Sequence, residues 1–162
     1  KAVKKGRMAI FADTGLGKTL MQVSIAQNIV NHTGGKVLIL TPLAVAFQFI
    51  LEAEKLGITD IEYSKDGKHS KSIVICNYER LHYFDKKEFS GVILDESSIL
   101  KNFDGKIKNQ VTSFVKKIPY RFFSILAPAI LYWYSLSKSL WIRHAQDNEK
   151  TVQTIRRSSN MG

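Results

Sequence analysis

The chain has 162 residues, the size of one domain, and 44% of them are hydrophobic, which excludes wholesale disorder. Its 24 Lys and Arg outnumber 14 Asp and Glu, and the net charge of +10 favours a polyanionic partner. No apolar run approaches the roughly 20 residues that a membrane-spanning helix needs, and the one cysteine, Cys76, excludes an internal disulfide. The basic start (Lys1, Lys4, Lys5, Arg7) precedes an apolar stretch too short for a signal peptide. The expectation is a soluble intracellular protein. The chain also lacks an initial methionine and enters an apolar run within seven residues, as the interior of a longer protein does.

Residues 8–12 are apolar throughout and predict a strand buried on both faces. They run into Ala12-Asp13-Thr14-Gly15-Leu16-Gly17-Lys18-Thr19, a phosphate loop opening a helix. Glycines there let the backbone curl so that successive N–H groups point at phosphate oxygens. The helix N-terminus adds its partial positive charge. Thr14, Gly15, Leu16 and Gly17 would cradle the phosphates and Lys18 would reach the β- and γ-phosphates. The Thr19 hydroxyl would sit on magnesium. The strict pattern has glycine where this chain has Ala12.

Met21, Ile25 and Ile29, with Ala26 and Val30 beside them, make one helical stripe that should stop near Thr33-Gly34-Gly35. Residues 37–40 predict a second strand, and Val45, Phe49, Ala53 and Leu56 a second helix closed by Gly57. Residues 58–63 alternate, as an edge strand does. The stretch 64–72, with Lys65, Lys68, His69 and Lys71, reads as a solvated connection, and the four histidines as surface residues. Residues 73–76 and 92–94 are again buried strands, and Cys76 is a structural thiol. A third helix falls within 104–117, ending before Pro119, and 122–126 is the last strand. Strands alternating with helices predict an α/β fold with a mostly parallel, doubly wound sheet and helices on both faces. In such sheets ligands bind beyond the carboxyl ends of the strands.

One such end carries Asp95-Glu96-Ser97-Ser98. Asp95 is placed to hold magnesium, directly or through water. Glu96 can orient and deprotonate an attacking water. With Lys18 these are the candidate catalytic residues, and Thr19 and Asp95 the candidate magnesium ligands. ATP hydrolysis is the leading chemistry, with ATP and Mg2+ as cofactors.

At this point the sequence resembles superfamily-two helicases, and within them the Swi/Snf-type DNA-dependent ATPases. "ADTGLGKT" looks like that family's phosphate loop, and Gln22, four residues past Lys18, also fits. "LTPLAVAFQF" is similar to its second segment, "IVICNYERL" to the strand and Tyr-Glu pair before the acidic motif, and "VILDESSILKN" to the acidic motif itself. The Asp-Glu-Ser-Ser form resembles versions in phages and mobile elements, hence a bacterial or phage-infected cytoplasm. The resemblance covers about residues 4–121. It implies a RecA-like P-loop NTPase lobe over 1–126, incomplete on its N-terminal side, where the family reads adenine. It implies a grip on double-stranded DNA, with RNA not excluded, and a second RecA-like lobe in the full-length protein. Thr41, Pro42, Lys101 and Asn102 are the nucleic-acid candidates. Equally, Thr41-Pro42 could simply start a helix and Lys101-Asn102 cover the surface.

The next family motif delivers hydroxyl residues where this chain has Ile125 and Ala127, although Pro128 matches. Neither side chain can hydrogen-bond the acidic motif and pass the nucleotide state on, which puts the coupling of hydrolysis to movement in doubt. Residues 127–162 are an unassigned tail, read as apolar packing, as sequence that never folds, or as the product of a frameshift or assembly error near Phe123. Base stacking by Tyr132, Trp133, Tyr134 and Trp141 is the functional alternative. The alternative to a motor lobe is a non-catalytic remnant that binds DNA or a protein through its basic surface.

Overall fold

The apolar runs 37–40, 73–76 and 92–94 become strands buried on both faces. The computed structural model describes residues 6–11, 17–96 and 103–125. The expectations for Thr14, Gly15 and Leu16, for Lys101 and Asn102, and for the tail from 127 onward lie outside those residues. Six strands, β1 (Arg7–Phe11), β2 (Lys36–Leu40), β3 (Ile61–Tyr63), β4 (Ile73–Cys76), β5 (Phe89–Leu94) and β6 (Tyr120–Ile125), form one sheet. Its order is β1-β6-β5-β2-β4-β3, and every pairing is parallel. All six carboxyl ends therefore open on the same edge.

Among the described residues, three helices wind around the sheet: α1 (Lys18–Thr33), α2 (Ala46–Lys55) and α3 (Gly105–Val115). On one face Val23, Ala26 and Ile29 of α1 and Phe49 and Ala53 of α2 pack over Val37, Ile39, Ile75 and Ile93. Alternation sends Leu38, Val74, Val92 and Phe123 to the other face, where α3 contributes Val111, Phe114 and Val115. This is the doubly wound arrangement that the apolar runs predict.

Local chemistry sets the boundaries. Gly34 ends α1 in the left-handed conformation, its N–H donating to the Val30 carbonyl at 2.8 Å. Asp104 caps α3 by accepting from the Ile107 N–H at 3.0 Å. The edge strand is shorter than 58–63 because the Ile58 N–H closes α2, donating to the Ala53 carbonyl at 2.9 Å. Two residues assigned to buried stripes lie outside them: Met21 is 42% exposed and Leu56 46%. The true buried face of α1 takes Gln22 in place of Met21.

The basic connection is tied down more firmly than its composition suggests. Lys65 and Lys68 are exposed, but the Glu62 carboxylate accepts from the backbone N–H groups of Ser70 and Lys71, and Asp60 from that of Ser72. His69 is the correction among the histidines. Its side chain is 2% exposed, wedged against Phe84 and Phe89, with Nε2 3.1 Å from Glu88 and Nδ1 3.0 Å from Lys36. The Lys36 ammonium has only hydrogens to offer, so Nδ1 accepts and Nε2–H donates to Glu88.

The Ser72 hydrogen bonds hold the Asp60 carboxyl below its ordinary 3.8. For Glu62, burial pushes upward but the Lys71 and Ser70 donors prevail, leaving it below 4.5. Both folded values are depressed, so the stability they contribute is present above about pH 4.5 and is lost as pH falls through the folded values. The urea midpoint is expected to drop on going from about pH 5 to about pH 3. An Asp60→Asn, Glu62→Gln double variant should show a smaller drop.

Candidate nucleotide site

Parallel register places the candidate residues side by side at one end of the sheet. Leu40 pairs with both Leu94 and Cys76, so Thr41, Asp95 and Asn77 leave three adjacent strands at the same level. The Asp95 N–H continues the ladder to the Leu40 carbonyl at 2.7 Å, and the Thr41 N–H to the Cys76 carbonyl at 3.1 Å. Helix α1 joins β1 to β2, three places apart in the sheet, and packs against β5 on the way. Its first turn thereby meets the end of β5.

Asp95 is the centre of what results. It is 4% exposed. The Lys18 ammonium lies 3.4 Å from Oδ1, and the Gln22 amide donates to the same oxygen at 2.8 Å. The Thr41 hydroxyl donates to Oδ2 at 3.0 Å. A buried carboxylate is stable only with such partners. The expectation that the Thr41 hydroxyl faces nucleic-acid phosphate is corrected here: Thr41 is fully buried, and its hydrogen goes to Asp95. Pro42 is half-buried and begins the short 3-10 turn Leu43–Val45, accepting from the Val45 N–H at 3.1 Å.

The main chain at Asp95 is held as well. The Tyr78 hydroxyl donates to its carbonyl at 2.6 Å from a ring that is 1% exposed. Burial first, then the charge of Asp95, pushes the Tyr78 phenol well above its ordinary value, so it keeps its proton and stays a donor. Glu96 follows at φ 49, a left-handed conformation that non-glycine residues rarely adopt. Such strain persists where neighbours over-determine it, and the Tyr78 anchor is one such neighbour. Tyr78→Phe leaves the carbonyl without its donor and is expected to lower stability by about 1–3 kcal/mol, read from urea unfolding.

Gly17 precedes Lys18 at φ 65 as the first residue outside α1, the conformation that glycine supplies at a loop-to-helix junction. Thr19 comes next to Lys18, half-buried on the same first turn. A buried carboxylate, a hydroxyl and a Lys ammonium make a donor set of hard oxygens and one cation, which suits Mg2+ bound to phosphates. The Gln22 Oε1, buried and without a hydrogen-bond donor among the described residues, leaves one further acceptor there. The residues fit the group.

Sequence reasoning singled out Lys18, Thr19, Asp95 and Glu96 but gave no role to Gln22 or Tyr78. A signal existed for the first. Gln22 shares the spacing of Val23, Ile25, Ala26 and Ile29, and a polar residue on a buried stripe needs a partner. On β6 the hydroxyl sought at Ile125 has a neighbour in Ser124, fully buried, one step beyond the Phe123–Leu94 register pair. Burial also pushes the Cys76 thiol up, in keeping with a structural role. No group of three or more His, Cys, Asp and Glu among the described residues could hold a metal by itself.

Residues 1–127 match the DEAD/DEAH box helicase family. The chain belongs to that family. Solved structures agree at the level of fold. The UvsW helicase from bacteriophage T4 superposes with a TM-score of 0.62 at 19% identity, over 76% of this chain and 49% of that one. A second T4 UvsW structure gives 0.64 at 19%, over 76% of this chain and 28% of the other. A hypothetical ATP-dependent RNA helicase from Sulfolobus tokodaii gives 0.62 at 18%, over 88% and 48%. The chain thus spans about half or less of the length of these proteins. No curated protein sequence matches it. Family and fold together make the described residues the N-terminal, RecA-like lobe of a superfamily-two helicase.

Proposed function

We propose that this chain is the ATP-binding and ATP-hydrolysing half of a nucleic-acid motor of the Swi/Snf type, acting on double-stranded DNA. The observation that carries the ATP reading is the buried Asp95 carboxylate with the Lys18 ammonium 3.4 Å away at the start of α1. Bound ATP supplies the phosphoryl group, and its Mg2+ neutralises charge on the phosphates. Lys18 would leave Asp95 for the phosphates, and Thr19 and Asp95 would hold the metal. Glu96 would take the proton of the attacking water.

The duplex-DNA part rests on the order of the four motifs and on the net charge of +10. The Swi/Snf assignment rests on Gly15-Leu16-Gly17-Lys18-Thr19, and a phage-like origin on Asp95-Glu96-Ser97-Ser98. Pro42, Lys101 and Asn102 are the proposed nucleic-acid contacts. A second RecA-like lobe, supplying the arginine that stabilises the transferring phosphoryl group, is proposed for the longer protein. Alone, this lobe would hydrolyse ATP slowly.

Phosphate release by the longer protein, measured with duplex DNA, single-stranded DNA or RNA added, tests the proposal. Stimulation by duplex DNA supports it, and stimulation by RNA alone would overturn the choice of nucleic acid. The remnant alternative is favoured by Ile125 and Ala127 standing where hydroxyl residues belong. It predicts retention on DNA with no phosphate release under any condition.

A further inference from the structure

We propose that Gln22 is a positioning residue that holds the Asp95 carboxylate for the metal once Lys18 has moved to the phosphates, an assignment that rests on the nucleotide reading above. Of the three donors on Asp95, Lys18 is the most distant at 3.4 Å, against 2.8 Å for Gln22 and 3.0 Å for Thr41. Lys18 is also the one that a phosphate draws away, because its charge is better matched there than on a shared carboxylate. Asp95 then turns its freed lone pairs to a divalent ion. A cationic holder would compete with that ion, whereas a neutral amide and a neutral hydroxyl do not.

The amide orientation is fixed by chemistry. Reversed, it would set Oε1 against a carboxylate oxygen, two acceptors face to face. With Nε2 on Asp95, Oε1 is left buried with no donor among the described residues, although the side chain is 0% exposed. Buried acceptors are rarely left so. The waters that a Mg2+ ion keeps when it binds are donors, and they would reach this site only with the nucleotide. Gln22 thus holds the ion's carboxylate with one end of its amide and accepts from the ion's water with the other.

Titration of the chain with a fluorescent ATP analogue, in EDTA and in excess Mg2+, reads this directly as the gain in affinity that Mg2+ brings. Gln22→Met keeps length and packing but cannot donate. It is expected to bind in EDTA within about twofold of wild type and to lose about tenfold of the Mg2+-dependent gain. A packing role alone would weaken both titrations alike, and that result, or an unchanged gain, overturns the proposal. Gln22→Leu, which also fills the buried position and cannot donate, covers the case in which the Met variant does not fold, and a full Mg2+-dependent gain in it sinks the idea as well. If wild type itself gains nothing from Mg2+, the nucleotide reading fails and takes this one with it. If wild type gains and Gln22→Met gains equally, only the role of Gln22 fails.

Discussion

Glu96→Gln in the full-length motor should cut nucleic-acid-stimulated ATP turnover by about 10²–10⁴-fold, the range that loss of a general base produces. Mg·ATP affinity should stay within about threefold of wild type, since Glu96 holds neither phosphate nor metal in this account. The side chains are nearly the same size, and the amide lacks only the basic oxygen. Glu96 is half-buried and sits in a left-handed turn fixed from behind by the Tyr78–Asp95 hydrogen bond. The variant therefore has no structural reason to move. Phosphate release under single-turnover conditions separates the two quantities. Loss of binding in proportion to turnover would place Glu96 in the phosphate site instead.

Asp95 should divide its effects between fold and function according to what replaces it. In Asp95→Asn the new carbonyl can accept from Lys18 and Gln22, and the new amide can donate to the Thr41 hydroxyl oxygen. The Lys18 and Gln22 donors keep an acceptor and the Thr41 hydroxyl turns from donor to acceptor, so stability should change by no more than about 1 kcal/mol. Metal-dependent ATP binding and hydrolysis should nonetheless fall by about 100-fold or more, because the one charged metal ligand is gone. Asp95→Leu strands an ammonium, an amide and a hydroxyl in a site that is 4% exposed. Removing one partner from a buried charge costs about 3–5 kcal/mol, and urea unfolding should register a loss of that order. Equal stability for the two variants would mean that the network around Asp95 contributes little to the fold.

These outcomes depend on features that were legible in the sequence to different degrees. The central strands were readable because they are buried on both faces. Ile73–Cys76 is apolar at every position and buried at every position, with no alternation to confuse. The amphipathic helices were readable from their one-sided apolar stripes, down to the glycine that ends α1. Strand ends were less so, because a ladder extends wherever a neighbour offers partners. Phe89, outside the apolar run 92–94, pairs with Lys36 across a register shift. The 3-10 turn Tyr78–Tyr83 had no signal, since an i to i+3 turn carries no hydrophobic period.

The site followed the same division. Lys18 and Asp95 announce themselves by charge at a strand end and a helix start. In the sequence, Thr41 is a nucleic-acid candidate only through the family resemblance, or else the start of a helix with Pro42. Only the strand order, which sets β2 beside β5, shows that the hydroxyl comes within reach of Asp95. That adjacency joins residues 54 positions apart in the chain. No local pattern encodes it. His69 is parallel: a histidine among lysines looks solvated until Phe84 and Phe89 are brought around it.

Lys18 and Asp95 are proposed to receive the phosphates and metal of ATP. Calorimetric titration of Mg·ATP into the chain and into its Lys18→Ala variant tests this most directly. Saturable one-site binding by wild type, weakened about 100-fold or more in the variant, is the expected result. Absence of binding by wild-type protein that circular dichroism shows to be folded, or equal binding by the two, would contradict it.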